Sequence, residues 1–343
     1  MKQLAARLEA FLRTRAPGAA SVAVRDVTVH TEGFSQETFS FRSEIAGVPD
    51  HWVVKREPVS GLLEPYDLEP EFRVLHALSD DPLPSPRTPW FERDPGVLDR
   101  PFYVMQKLPG EVPIPVPGAT GEGPFDAAER AALAPQVMRA LAALHAVDWR
   151  ARGLAFLGVP AGSDAAAREV ARWQARIDAS ELAPDPVLAE ALLWLHRHAP
   201  ASDRVALLHG DYRLGNWLVE RDAGGARLAG ILDWEMVHLG DPIEDVAWCI
   251  SHLWRGQTPR AACLAAPEDL VALYEEAAGR AVDREVLRYY EVLAVVKMAA
   301  IMLTGIRAFR DGRTTDLRMA IFDHQLPFLH ALVAALRGWL PLP

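Results

Sequence analysis

Cysteine is scarce: the chain of 343 residues holds two, Cys249 and Cys263. Two thiols at that separation cannot build a disulfide framework and lack metal-ligand spacing, so a reducing, cytoplasmic setting is the natural expectation. Basic charge is also in short supply. Thirty-six Lys and Arg against 46 Asp and Glu leave a formal net charge of −10, with no basic run to offset it. A surface of that sign repels nucleic acid, which excludes a nucleic acid partner. No uninterrupted apolar run reaches the ~18 residues of a membrane span, so no membrane association is expected. Residues 1–17 set Leu4, Leu8, Phe11 and Leu12 among Arg7, Glu9 and Arg13. That is the pattern of an amphipathic helix, not of a signal peptide; Glu9 and the low serine content also argue against an Arg-containing presequence. There is no internal repeat, and nothing points to a protein partner. What is present is ordinary: 50% hydrophobic and 24% charged residues, in a chain long enough for two domains or one two-lobed domain.

The order of elements divides the chain. Residues 21–30, 38–42 and 51–56 read as strands, 66–78 as a helix, and 88–93 and 101–108 as two further strands. The Pro- and Gly-rich stretch 111–124 then marks a boundary between lobes. Beyond it Asp126-x-x-Glu129 forms a capping box ahead of Leu133, Val137, Leu141 and Leu144. Further helices are expected over 165–179, 186–198, 268–278, 284–306 and 317–336.

One segment concentrates the chemistry. His209-x-Asp211-x-x-x-x-Asn216 leads into an apolar run, a turn at Arg221-Asp-Ala-Gly-Gly225, and a second apolar run ending in Asp233-Trp-Glu235. Asn216 and Asp233 are nearly equidistant from the Gly-Gly tip, so a hairpin brings them side by side at its open end with Asp211 close by. A hard Mg²⁺ ion takes oxygen ligands and leaves sites for substrate phosphates. Kinases use one Asp and one Asn for metal and another Asp to accept the proton of the acceptor hydroxyl, at this spacing.

His209-Gly-Asp-Tyr-Arg-Leu-Gly-Asn216, with Asp233-Trp-Glu235 and Gly240-Asp-Pro-x-x-Asp245, resembles the aminoglycoside phosphotransferase-like family. The resemblance implies an α+β, two-lobed protein-kinase-like fold. Residues 1–106 would be a nucleotide-binding N-lobe, a five-stranded antiparallel sheet plus a helix. Residues 107–343 would be a mainly helical C-lobe carrying the catalytic hairpin, the metal ligands and the acceptor site. It implies Asp211 as the catalytic base and Asn216 and Asp233 as Mg²⁺ ligands. His209 and Asp245 would support the loop, and Glu235 would either help with metal or nucleotide or keep a structural role. In the N-lobe it implies Lys55 on the nucleotide phosphates, with an ion-pair partner from the following helix: Glu71 first, Glu69 second. Gly33, Phe34 and Ser35 fall where a phosphate-covering turn belongs, and Gln106 and Leu108 in the hinge where adenine would bind. ATP is the expected phosphoryl donor, with GTP as the alternative.

Departures from protein kinases narrow the acceptor. Gly210 follows the loop histidine where they carry Arg, Trp234-Glu235 replaces Phe-Gly, and the stretch from Asp233 to Gly240 is too short for a peptide-docking segment. A small-molecule hydroxyl acceptor follows. Arg213 stands where many antibiotic-modifying members have His, and the motif set is most similar to the branch associated with acyl-CoA dehydrogenases. This suggests a hydroxy acid or hydroxyacyl thioester, with Arg213 either meeting an anionic substrate or pairing with a carboxylate inside the lobe. The alternatives are an aminoglycoside or other antibiotic O-phosphotransferase, a catalytically silent nucleotide-binding protein, and a metal-dependent hydrolase. The base, both metal ligands and the lysine are all present, which disfavours the silent protein. The extra ligands of a two-metal hydrolase are missing.

Overall fold

A computed structural model describes residues 2–30, 37–114, 123–180, 182–255 and 258–341. The chain divides into two units, Met1–Leu108 and Pro109–Pro343.

The first unit runs α1 (Lys2–Arg15), β1 (Val22–His30), β2 (Glu37–Ile45), β3 (Val48–Arg56), α2 (Glu69–Ala77), β4 (Trp90–Glu92), the single turn α3 (Pro95–Leu98) and β5 (Phe102–Gln106). The strands form one antiparallel sheet in the order β1-β2-β3-β5-β4. Ala46 and Gly47 join β2 to β3 with both residues at positive φ, 51° and 83°. Such a two-residue turn matches the right-handed twist of the strands it joins. Phe39 and Phe41 of β2, Trp52 and Val54 of β3, and Phe102 and Val104 of β5 build the core, and Leu8, Phe11 and Leu12 of α1 are buried in the same cluster. Phe11 meets Phe102 edge-on with ring centroids 5.1 Å apart, so α1 is part of the sheet's packing. The helix expected over 66–78 begins only at Glu69, because Pro70 is tolerated in a first turn and not further in.

The second unit holds α4 (Ala127–His145), α5 (Ala165–Ser180), α6 (Pro186–Arg197), β6 (Ala206–Leu208), β7 (Trp217–Asp222), β8 (Gly225–Ile231), β9 (His238–Gly240), α7 (Ile243–Ile250), α8 (Pro267–Ala278), α9 (Arg284–Arg310), α10 (Leu317–Ile321) and α11 (Leu326–Leu336). The Asp126–Glu129 capping box forms as read from the sequence, each side chain accepting from the other's backbone N–H. One correction concerns 317–336, which is not a single helix. It breaks into α10, a short 3₁₀ turn and α11, with Pro327 confined to the first turn of α11 because its ring cannot continue a preceding helix. The 27-residue α9 is long and apolar enough to cross a membrane by composition, yet 78% of its apolar window is buried inside the protein, as in a core helix.

If α1 anchors the sheet, Phe11→Ala should cost about 3–5 kcal/mol in denaturant unfolding. A loss under about 1 kcal/mol would mean that α1 packs only at the margin.

Candidate active site

Two short antiparallel ladders set up the site in the second unit. β6 pairs with β9, Leu208 opposite His238, so the loop that follows β6 lies beside the segment that leads into β9. Asp245, in the first turn of α7 and wholly buried, reaches back to that loop. Its Oδ2 accepts from His209 N at 2.7 Å and its Oδ1 from Gly210 N at 2.9 Å. The His145 ring lies 3.3 Å from the same Oδ2 and 2.8 Å from the Tyr274 hydroxyl. Burial pushes the Asp245 carboxyl up, but the hydrogen bond and charge of His145 outweigh it and hold the group below its ordinary value. Gly210 has φ +80°, and a Cβ there would stand 2.3 Å from the Met236 carbonyl oxygen. This explains why glycine, not arginine, follows the loop histidine.

His209 ties this loop to the second ladder. Asp211 N donates to its Nδ1 at 3.1 Å, so the proton sits on Nε2, which donates to the Leu232 carbonyl at 3.0 Å. Burial lowers the ring's pKa, in keeping with this neutral tautomer.

β7 and β8 form the expected hairpin, closed by Asp222 opposite Gly225. A bulge between Leu218 and Val219 shifts the register, and Leu232 N donates to Asn216 O at 2.7 Å. Asn216 therefore faces Leu232, and Asp233 is the next residue along. Asp233 adopts φ 67°, the left-handed region that costs a non-glycine residue free energy and is commonest at functional sites. Its neighbour Trp234 is fully buried, donates to Ile231 O at 3.0 Å and packs 4.7 Å from the His209 ring. Asp233 and Glu235 flank this anchor half-buried.

Asp211 is 7% exposed, and its side chain receives three N–H donors. Oδ1 accepts from Trp248 Nε1 at 2.7 Å and Arg213 Nε at 2.9 Å, and Oδ2 accepts from Asn216 Nδ2 at 2.7 Å. A carboxylate oxygen offers about two lone-pair sites, so Oδ1 is saturated and Oδ2 keeps one. The Asn216 amide nitrogen also donates to Asp211 O at 3.0 Å, which leaves Oδ1 of Asn216 as its ligating atom. With the Asp233 carboxylate this is an all-oxygen donor set, and it fits a hard divalent cation such as Mg²⁺. Arg213 also donates to Leu214 O at 3.0 Å and stacks 4.5 Å from the Trp254 ring. Of its two anticipated roles, pairing with a carboxylate is realised, and the carboxylate is that of Asp211.

In the first unit Lys55 lies on β3, opposite Thr38 and Tyr103. Its Nζ is 2.8 Å from Glu71 Oε1 on α2, both side chains being buried. Glu69 instead pairs with Arg93 at the surface. Gln106 N donates to Arg87 O and Lys107 N to His51 O, both at 2.8 Å, so these two amides are engaged within the first unit. Gly33, Phe34 and Ser35 lie outside the described residues.

The sequence profile of the phosphotransferase enzyme family matches residues 26–290. The chain belongs to that family. It is 28% identical over 324 residues to the mouse (Mus musculus) acyl-CoA dehydrogenase family member 11, a match covering 90% of this chain and 40% of that protein. The chain thus spans only about a fifth to two fifths of the length of such curated relatives. Among solved structures, a candidate aminoglycoside phosphotransferase from Ralstonia eutropha superposes with TM-score 0.75 at 25% identity, covering 97% of this chain and 98% of its own. APH(2″)-IIia, solved with GDP and kanamycin, shares the fold at TM-score 0.61 and 18% identity, covering 93% of this chain and 96% of its own. The two-lobed, kinase-like α+β architecture read from the motifs is therefore the fold of this family member.

Sequence reasoning missed two residues at the family's loop. Trp248 donates to Asp211, and its helical spacing in the sequence gave no sign of it. Lys297 sits beneath the loop and was not singled out, although one charge inside the otherwise apolar run of α9 was a legible signal.

Asp245→Asn puts an amide where two backbone N–H groups need acceptors. It should lower stability by about 1–3 kcal/mol in denaturant unfolding. Unchanged stability would show that Asp245 does not brace the loop.

Proposed function

We propose that this chain transfers the γ-phosphoryl group of ATP, with Mg²⁺, to a hydroxyl of a small anionic molecule, a hydroxy acid or hydroxyacyl thioester. The observation that carries the reading is Asp211: one carboxylate oxygen saturated by N–H donors, the other bonded to Asn216 with a single lone pair left. A carboxylate so held accepts the proton of a positioned hydroxyl with no reorganisation of its own. Asn216 Oδ1 and the Asp233 carboxylate would hold the metal, which when bound supplies charge neutralisation on the phosphates. Lys55, kept in place by Glu71, would contribute positive charge to the nucleotide, and the Leu108 backbone would be the hinge contact for the base. Glu235 keeps a structural role beside Trp234. Phosphoryl transfer needs little covalent help, so positioning supplies most of the rate.

The anionic acceptor rests on Arg213. Two of its donors go to Asp211 and Leu214, its side chain is 26% exposed, and the remaining guanidinium N–H groups can meet a carboxylate or phosphate at the base. A second reading, an antibiotic O-phosphotransferase, is favoured by the similarity to the Ralstonia eutropha structure.

The test is transfer of label from [γ-³²P]ATP, with a GTP arm, to hydroxy acids, hydroxyacyl thioesters and aminoglycosides. Label should reach an acidic acceptor. Asp211→Asn should reduce transfer by about 10²-fold or more. Arg213→Met should raise KM for the acceptor about tenfold and leave KM for ATP unchanged. Label on aminoglycosides alone would favour the second reading, and label on nothing would contradict both.

A further inference from the structure

Lys297 is a lysine 1% exposed, in the middle of the apolar helix α9. An ammonium is almost never buried this completely without dedicated partners, and the partners here lead to one place. Its Nζ donates to the carbonyl of Gly210, the residue before Asp211, at 2.6 Å. It pairs with Glu244 Oε1 at 3.1 Å. It also lies 4.5 Å from the centroid of the Trp248 ring, whose Nε1 donates to Asp211 Oδ1 at 2.7 Å. A cation over an indole face is attracted by its π electrons and draws density from the ring, which makes the N–H a better donor. One buried charge thus touches both the backbone before the carboxylate and the ring that grips it.

We propose that Lys297 and Trp248 are positioning residues for Asp211: the ammonium fixes Gly210 O and the indole, and the indole N–H fixes Oδ1, so that Oδ2 is the oxygen presented to the acceptor hydroxyl. This rests on the phosphotransferase reading and deepens it. Neither residue touches a reacting atom.

The surroundings support this role over a purely structural one. Glu244 Oε2 faces His238 Nε2 at 3.3 Å, and His238 Nδ1 donates to Met236 O at 2.9 Å. A bond from Nε2 to Glu244 therefore needs a second ring proton. Beyond it stand Glu169, 3.9 Å from His238 Nε2, and Arg172, paired with Glu169 at 2.5 Å. Glu169, His238 and Glu244 come within 4.8 Å of one another in the manner of a metal site. Yet Lys297, Arg172 and an imidazolium already answer the two carboxylates, so a divalent cation there would face uncompensated positive charge. A simple ion pair would need only Glu244, whereas Lys297 is shared with the loop carbonyl and the indole.

The test is ATP turnover with water as acceptor, in Mg²⁺. Trp248→Phe keeps an aromatic ring over the ammonium and removes the N–H. It should lower kcat about tenfold to 100-fold with KM for ATP unchanged. Lys297→Met should do the same, and the double variant should fall no further than the worse single, because both act by fixing one carboxylate. Should Lys297→Met fail to fold with Glu244 left unpaired, Lys297→Met/Glu244→Gln removes both charges and serves instead. Wild-type kcat in Trp248→Phe, or losses that multiply in the double variant, would overturn the proposal. A second readout needs no turnover. In protein ¹⁵N-labelled at tryptophan, the Trp248 indole N–H signal, identified by its loss in Trp248→Phe, should move in Asp211→Asn. A signal that stays in place overturns the proposal whatever the activity. A signal that moves, in a wild type that neither binds nor hydrolyses ATP, supports the positioning and counts against the phosphotransferase reading alone.

Discussion

The Asp245 carboxylate ties the loop after β6 to helix α7. It is wholly buried on α7, and its two oxygens take the backbone N–H groups of His209 and Gly210. Charge-assisted bonds to backbone amides are about twice as strong as neutral ones, and burial removes the competing water. The loop after β6 can therefore take a conformation it would not hold alone, with Gly210 at positive φ against the Met236 carbonyl. His209 then passes the constraint on, from Asp211 N on one ring nitrogen to Leu232 O on the other. Through that ring the base and the metal-ligand hairpin are held in one frame.

Within this frame the Asp211 carboxylate is over-determined. Trp248, Arg213 and Asn216 come from α7 and from the loop itself, and each gives it an N–H. Three donors fix its rotamer, and preorganisation of this kind costs nothing when the reaction occurs. Asn216 serves twice, its nitrogen on Asp211 and its oxygen free for a cation. Asp233 pays for its place with a left-handed backbone that the hairpin bulge and the buried Trp234 anchor enforce.

Much of this was legible in the sequence, and particular residues show why. Lys55 was placed on the third strand, and Glu71 was preferred over Glu69 as its partner; the structure pairs Lys55 with Glu71 and sends Glu69 to Arg93. The symmetry of Asn216 and Asp233 about the Gly224-Gly225 turn gave the hairpin. It missed by one residue, because the turn is centred on Ala223-Gly224, which offsets the pairing by two, and the bulge between Leu218 and Val219 makes up one of them. Helix 317–336 was overextended because apolar periodicity ran through Pro327, where backbone chemistry overrode it. Trp248 and Lys297 escaped notice because their roles depend on partners far away in sequence. An aromatic at helical spacing reads the same whether its N–H is idle or holds a carboxylate. Arg213 was left between two roles, and only coordinates could show it bonded to Asp211.

The central claim is that Asn216 and Asp233 make a cation-dependent nucleotide site beside Asp211. The most direct measurement is isothermal titration of ATP with and without Mg²⁺, on the wild type and on Asp233→Asn, which tolerates the same left-handed backbone but lacks the charge. The account predicts Mg²⁺-dependent binding in the wild type that weakens about tenfold or more in the variant. Binding that ignores Mg²⁺, or that survives the substitution at full strength, would contradict it.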